Sequence, residues 1–293
     1  MNGIVNIVIK VLQKRNYIIE DLPSSDEFGR FRMIVRNRKN KRLFVKSTIG
    51  KSTYGYKSLQ KEALLYSHIR RKLQRDPVKY KGYKLSVPNV HSIIEENGVI
   101  CLITDFIDGA YLINQSDKNQ ADILIYTYNM VTRLNLDKKS TIKFTFKKYN
   151  IRDLIIQIPG RCVRAILLHP QNALRLILVA IKVLPLIKSR NLKKGFVHSD
   201  INASNIIMVG KDIYLMDWED AGWGIKLYNG IAPLCTHWTN RVIRLRLLNF
   251  LKKLEDNEAI FSLIAFRTLM LFNQKITSKN VKYARDVALL NSL

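Results

Sequence analysis

The sequence predicts an α+β chain in two parts, a small antiparallel-sheet lobe followed by a larger helical lobe. Three observations predict it. Through most of residues 1–104 the apolar residues form short runs bounded by polar turns, the mark of strands. After Asp105 they recur at helical spacing, broken by one short hairpin between Asn205 and Asp217. The 293 residues are 47% hydrophobic and 25% charged, a composition that can bury a core and excludes a disordered chain. The boundary is placed near Thr104-Asp105-Phe106, which makes 1–104 one lobe and 105–293 the other.

In the first lobe, Phe31–Val35 and Leu43–Lys46 read as strands joined by the turn Asn37-Arg38-Lys39-Asn40. Tyr56–Leu73 has helical spacing, with Leu59, Ala63, Tyr66, Ile69 and Leu73 on one face, and is the one helix expected there. Val90–Ile94 and Val99–Thr104 flank Asn97-Gly98, a strong hairpin signal. In the second lobe, helices are expected at Ala121–Leu134, Ile151–Leu168, Ala173–Ile187, Val242–Leu254 and Ile260–Phe272. Leu174–Ile187 is the most apolar stretch, but it is too short to span a bilayer and contains Lys182 and Pro185, so it reads as a buried helix.

The chemistry concentrates between Phe196 and Glu219. An apolar approach delivers the polar loop His198-Ser199-Asp200-Ile201-Asn202, which runs on to Asn205 and a strand, Ile206–Val209. After the turn Gly210-Lys211-Asp212 a second strand, Ile213–Met216, leads to Asp217. Antiparallel pairing brings positions equally far from a turn together, so Asn205 and Asp217 are expected at one hairpin mouth, with Asp200 in the same loop. Two oxygen ligands there suit magnesium, which binds through few protein groups plus phosphate oxygens. Asp200 is then available to orient an alcohol and take its proton.

The pattern resembles the His-x-Asp-x-x-x-x-Asn loop of protein-kinase-like folds, followed by a metal-binding Asp. More narrowly, Asp217-Trp218-Glu219 resembles the aminoglycoside phosphotransferase and choline kinase family. The likeness runs from about Phe31 to Gly222. It implies ATP and Mg2+ as cofactors, Lys46 and Glu62 as the phosphate-binding pair, and Asp105-Phe106 as the hinge on the nucleotide. It implies Asp200 as the catalytic carboxylate, Asn205 and Asp217 as metal ligands, and His198 as structural support of the loop. Ser24–Gly29 stands where a phosphate-covering loop belongs, and Ser25 is the residue assigned to it, although the stretch holds one glycine and reads equally as a polar turn. Ser199 and Asn202 stand where protein kinases usually carry Arg and Lys, and no Ala-Pro-Glu follows Asp217. These departures favour a small-molecule or glycan acceptor over a protein.

The 49 Lys and Arg against 23 Asp and Glu give a net charge of +26, shared by both lobes. Such a field favours anionic partners, here an anionic sugar or lipid-linked glycan and peripheral contact with an acidic membrane, and it disfavours polycationic antibiotics. Cys101, Cys162 and Cys235 show neither disulfide nor zinc spacing, which suits a cytoplasmic protein at the inner face of a membrane. Two other classes were weighed: a pseudokinase-like nucleotide-binding module, for which no catalytic residue is missing, and a basic nucleic-acid-binding protein, for which charge is the only sign.

Overall fold

The structure is a computed structural model, and it describes residues 2–21, 24–25, 30–50, 53–134, 136, 160, 163, 167, 192–264 and 267. In chain order the elements begin with helix α1 (Asn2–Lys14) and strands β1 (Ile18–Ile19), β2 (Ser24–Ser25), β3 (Phe31–Arg36) and β4 (Arg42–Ile49). Helix α2 (Tyr54–Arg75) precedes β5 (Lys79–Tyr80), β6 (Tyr83–Ser86), β7 (Val90–Glu96), β8 (Val99–Asp105) and β9 (Ala110–Tyr111). Helix α3 (Asp117–Arg133), β10 (Lys194–Val197), β11 (Ile206–Val209), β12 (Asp212–Leu215) and β13 (Gly222–Ile225) lead to helices α4 (Tyr228–Thr236) and α5 (Arg241–Leu251). Divided by its internal contacts, the chain forms two compact units: Met1–Tyr111 with Asn205–Asp220, and Leu112–Ser204 with Ala221–Leu293.

The first unit is built on a six-stranded antiparallel sheet, ordered β1-β3-β4-β8-β7 with β2 paired to β3. Side chains alternate across a strand. Phe31, Met33, Val35, Leu43, Val45, Val99, Cys101 and Ile103 therefore share a face, and they bury it against Val8, Val11 and Leu12 of α1. The expectation of a single helix in this region is corrected to two. The i, i+3, i+4 spacing of Val8, Val11 and Leu12 makes the opening segment an amphipathic helix rather than a featureless apolar start.

Alternation also decides where Lys46 goes. Val45 faces α1, so its neighbour projects to the other side, where α2 lies with Leu59, Ala63, Tyr66, Ile69 and Leu73 buried. The strand expected to end at Lys46 runs on to Ile49, because Ser47, Thr48 and Ile49 keep pairing with Cys101, Ile100 and Val99. Asn97 and Gly98, at φ 53° and 77°, make the two-residue turn between β7 and β8 that the Asn-Gly dipeptide predicts. Thr53 caps α2 by accepting from the Tyr56 N–H.

The unit's second sheet is ordered β5-β6-β12-β11-β9. Its β11–β12 hairpin turns on Gly210 and Lys211 alone, with Asp212 already paired to Val209. Gly210 supplies the φ of 59° that the tight turn needs. This moves the expected register by one: Asn205 lies opposite Met216, whose N–H donates to its carbonyl at 2.8 Å, and Asp217 is one residue farther out.

In the second unit, β10 and β13 form a two-stranded antiparallel ribbon, and α3 packs on α4 and α5. Helix α3 starts at Asp117, earlier than expected, because Ser116 caps it through the Asn119 N–H. Helix α4 was not expected at all. Its residues Tyr228–Cys235 are buried all round, so they carry no amphipathic period to read. Helix α5 matches the expected Val242–Leu254 within three residues at either end, and residues 257–264 are helical where Ile260–Phe272 was expected. The helices expected at Ile151–Leu168 and Ala173–Ile187 lie outside the described residues, apart from 160, 163 and 167. Among the described residues, no helix is long and apolar enough to cross a membrane.

Two glycines of the first unit separate strain from collision. An alanine at 98 meets no atom within 4 Å and is opposed only by the left-handed backbone, whereas a Cβ at 109 would sit 2.5 Å from the Met208 carbonyl oxygen. We expect Gly98→Ala to cost about 1 kcal/mol in urea unfolding. Gly109→Ala should cost measurably more, because the opposing atom is backbone of the β9–β11 pairing. Equal costs would count against this reading of the β9–β11 contact.

Candidate active site

Within the first unit three distant segments meet at one ammonium. Lys46 Nζ donates to both oxygens of Glu62, at 2.8 and 3.0 Å, and to Oδ1 of Asp217 at 2.9 Å. Lys46 comes from β4, Glu62 from the middle of α2 and Asp217 from the end of the β12 strand, so a sheet, a helix and a hairpin are tied together. Glu62 is 0% exposed. A buried carboxylate of that kind requires a paired cation. Burial opposes the charge on Lys46, but Glu62 and Asp217 outweigh it and hold the ammonium protonated well above its ordinary range.

Asp217 has a left-handed backbone, φ 62°, which aims its carboxylate at Lys46 and not along the strand. The strain is met by local bonds: the Asp217 N–H donates to the Tyr66 hydroxyl at 3.1 Å. The next residue, Trp218, is fully buried and donates Nε1–H to the Leu215 carbonyl at 2.7 Å. Burial would raise the Asp217 pKa, yet Lys46, with Arg30 and Arg32 behind it, brings it down to about 2. Glu219 behaves oppositely. Burial and the charges of Asp217 and Glu62 push it up to about 7, against Arg30 and Lys46. Arg30 forms an ion pair with its carboxylate, Ser58 Oγ donates to it at 3.2 Å, and Lys61 Nζ donates to its carbonyl at 2.6 Å. The Trp218–Asp220 turn is thereby fastened to α2.

Oxygen atoms of Glu62, Asp217 and Glu219 lie within 4.8 Å of one another. The donor set fits a hard divalent cation, since it offers carboxylate oxygens at one end of the β11–β12 hairpin with Asn205 at the same mouth. All three carboxylates are already engaged, Glu62 and Asp217 by Lys46 and Glu219 by Arg30 and Ser58.

The second unit holds the other half of the motif. His198 is fully buried, its N–H donates to Asn229 Oδ1 at 2.9 Å, and its ring Nδ1 accepts from the Asp200 N–H at 3.3 Å. The Asn229 amide in turn donates to the Phe196 carbonyl at 3.2 Å, so α4 fixes the approach strand and the loop together. Asn202 Oδ1 accepts from Ser204 N–H and Oγ–H, at 2.9 and 2.5 Å. Asp200 itself is 43% exposed along its side chain. Asn229 and Arg267, which both reach this loop, were missed by sequence reasoning. The one signal for Asn229 was a lone amide inside the mostly apolar stretch Leu227–Leu234.

Other expected residues lie elsewhere. The Asp105 carboxylate accepts from Lys41 Nζ at 2.8 Å and contacts His91 Nε2 at 2.7 Å. Burial acts to raise its pKa, but those two bonds prevail and lower it. The Arg42 guanidinium stacks 4.2 Å over the Phe106 ring. Both residues sit near the Leu43 end of β4, three register positions from Lys46. Ser25 is exposed on β2 opposite Phe31, and residues 26–29 of its loop lie outside the described residues.

With this geometry in place, the fold has a class: it is the protein-kinase-like fold of the aminoglycoside phosphotransferases. The chain is similar to an aminoglycoside phosphotransferase APH(4)-Ia variant in ternary complex with ADP and hygromycin B, at TM-score 0.68 and 12% identity over 97% of both chains. It is similar to the spectinomycin phosphotransferase APH(9)-Ia in complex with ADP and spectinomycin, at TM-score 0.58 and 13% identity over 98% of this chain and 92% of that one. A third is the amicoumacin kinase hAmiN in complex with AMP-PNP and Ca2+, at TM-score 0.55 and 13% identity, covering 98% and 91%. No protein-family model matches the sequence, and no curated protein matches it.

Replacing Lys46 by Met removes the cation shared by two buried carboxylates. We expect Lys46→Met to lose about 3 to 5 kcal/mol in urea unfolding at pH 7. A loss below about 1 kcal/mol, the scale of an exposed pair, would show that the triad does not tie the unit together.

Proposed function

We propose that the protein is an ATP- and magnesium-dependent phosphotransferase that moves the γ-phosphoryl group to a hydroxyl of a small molecule or cell-envelope glycan. The observation that carries this reading is the buried contact of Lys46 with Glu62 and Asp217. A cation held between two carboxylates at the mouth of a hairpin is what a nucleotide phosphate and its metal require. The fold neighbours support it, since their complexes hold ADP or AMP-PNP, in two of them beside hygromycin B or spectinomycin.

In this reading the first unit takes the nucleotide and the second the acceptor. Lys46, kept in place by Glu62, holds nucleotide phosphate. Ser25 covers the phosphates, and Asp105-Phe106 meet the base through their main chain, the Asp105 carboxylate being engaged by Lys41 and His91. Asn205 and Asp217 would hold magnesium, which would supply neutralisation of charge on the phosphate oxygens. Asp200 orients the acceptor hydroxyl and takes its proton as the oxygen–phosphorus bond forms and the bond to ADP breaks. His198, buried and bonded to Asn229, keeps the Asp200 loop in shape. The work is alignment and electrostatics.

The charge of +26 points to the acceptor class. A polycationic antibiotic would be repelled, whereas an anionic sugar or lipid-linked glycan would be drawn in, with the basic surface resting on an acidic membrane from the cytoplasmic side.

Purified protein incubated with γ-labelled ATP and magnesium should transfer label to a fraction of cell metabolites or envelope glycan. Asp200→Asn should lower that transfer by about 10²- to 10⁴-fold while nucleotide affinity is retained. Undiminished transfer by the variant would remove Asp200 from the mechanism. Nucleotide binding without any turnover would replace the enzyme by a pseudokinase-like module, and steeply salt-dependent RNA binding without turnover would replace it by a nucleic-acid-binding protein.

A further inference from the structure

The Asp200 loop of the second unit contains a backbone that its own residues do not explain. Ser199, immediately before Asp200, has φ 71°, a left-handed conformation that a residue with a Cβ adopts at a cost. That torsion sets the direction in which the chain leaves toward Asp200. Besides the bond of the Asp200 N–H to His198 Nδ1 within the loop, this turn is bonded by a group from far along the sequence. Arg267 Nη1 donates to the Ser199 carbonyl at 2.9 Å and to the Tyr228 hydroxyl at 3.2 Å. Its Nη2 lies 3.6 Å from Asp200 Oδ1.

We propose that Arg267 is a positioning residue for Asp200, clamping the Ser199 turn through one guanidinium nitrogen and orienting the Asp200 carboxylate through another. A guanidinium is a rigid planar fork, so fixing one arm on a carbonyl fixes where the other arm points. The Arg267 side chain is only 6% exposed, which makes its placement definite and its charge expensive to bury. The Tyr228 ring, 5.5 Å from the guanidinium carbon, offers a favourable face to that cation. Among the described residues Arg267 Nε is buried with no hydrogen-bond partner, so this cation is held by the loop and Tyr228 and not by a saturated network. Asp200 is the carboxylate with which it forms an ion pair among the described residues.

A structural anchor for the helix would need only the Tyr228 and Ser199 bonds. The approach of Nη2 to the carboxylate itself adds a consequence for chemistry: Oδ1 is drawn toward Arg267, and the orientation of the carboxylate toward an acceptor follows. Lysine at 267 retains the charge but lacks the rigid planar fork, so bonding the carbonyl no longer fixes the direction of a second arm toward the carboxylate.

The inference rests on Asp200 being the proton-accepting carboxylate, and the test separates the two claims. Using the full chain with γ-labelled ATP and magnesium, phosphate release to water and transfer to the active fraction are measured for Arg267→Lys, Arg267→Met and Asp200→Asn. Arg267→Met should lower kcat about 100-fold with KM for ATP within twofold of wild type, and Arg267→Lys should recover part of that loss. If Asp200→Asn collapses turnover while Arg267→Met keeps the wild-type kcat, the positioning role is overturned and the phosphotransferase reading stands. A parallel loss in kcat and in ATP affinity for both Arg267 variants would overturn it in favour of a purely structural residue. The clamp has a second readout that needs no activity. Ser199→Gly relieves the left-handed strain, so the fall in urea midpoint caused by Arg267→Met should be smaller in the Ser199→Gly background. Additive midpoints would overturn the clamp, even in a protein with no turnover.

Discussion

One ammonium organises the first unit. Lys46 lies in the middle of the most continuously paired strand, and its charge is met by Glu62 from α2 and Asp217 from the hairpin. A buried pair gives little net stability over an apolar substitute, but removing one member is costly, so the three segments are held in one arrangement. The strand's alternation makes this possible: the residue before Lys46 belongs to the α1 core, and Lys46 must therefore face α2. Sheet pleat, helix position and hairpin register meet at a single nitrogen.

The Ser199 and Asp217 turns depend on a second constraint. Ser199 and Asp217 both adopt left-handed backbone although neither is glycine. Each strain is offset by a hydrogen bond with a residue outside the loop: Arg267 donates to the Ser199 carbonyl, and the Asp217 N–H donates to the Tyr66 hydroxyl. Buried polar groups of this kind are costly unless paired, and each here is paired. The same loops are where function is assigned, which is the usual place for stored strain.

Electrostatics divides the molecule's tasks. Locally, acidic side chains cluster at Glu62, Asp217 and Glu219, where a divalent cation fits. Globally, the chain is strongly basic, which draws in anions and repels polycations. The likeness to the aminoglycoside and spectinomycin phosphotransferases lies in the fold, at 12–13% identity.

Much was legible in the order of residues. The strands at Phe31 and Leu43, the Asn97-Gly98 turn, the α2 face and the His198-to-Asp217 motif all rest on interactions between near neighbours, so their pattern is written locally. What was not legible depended on partners far away in the chain. The N-terminal helix does carry a local spacing, at Val8, Val11 and Leu12, but what that face covers is fixed by the distant sheet, and α4 has no period because every side of it is buried. The hairpin register moved by one because the turn closes on Gly210 and Lys211 alone, and Asp212 also pairs with Lys84 of β6, a parallel contact invisible in sequence. Asn229 and Arg267 carry no local signature, since a polar residue becomes a loop support only when folding brings it to the loop. The sequence by itself determined the kinase-like order of chemical groups, because spacing along a strand or turn is a one-dimensional property. Tertiary structure alone decided which groups face each other, that Lys46 is shared between two carboxylates and that Arg267 reaches Ser199 and Asp200, because those contacts arise only from packing.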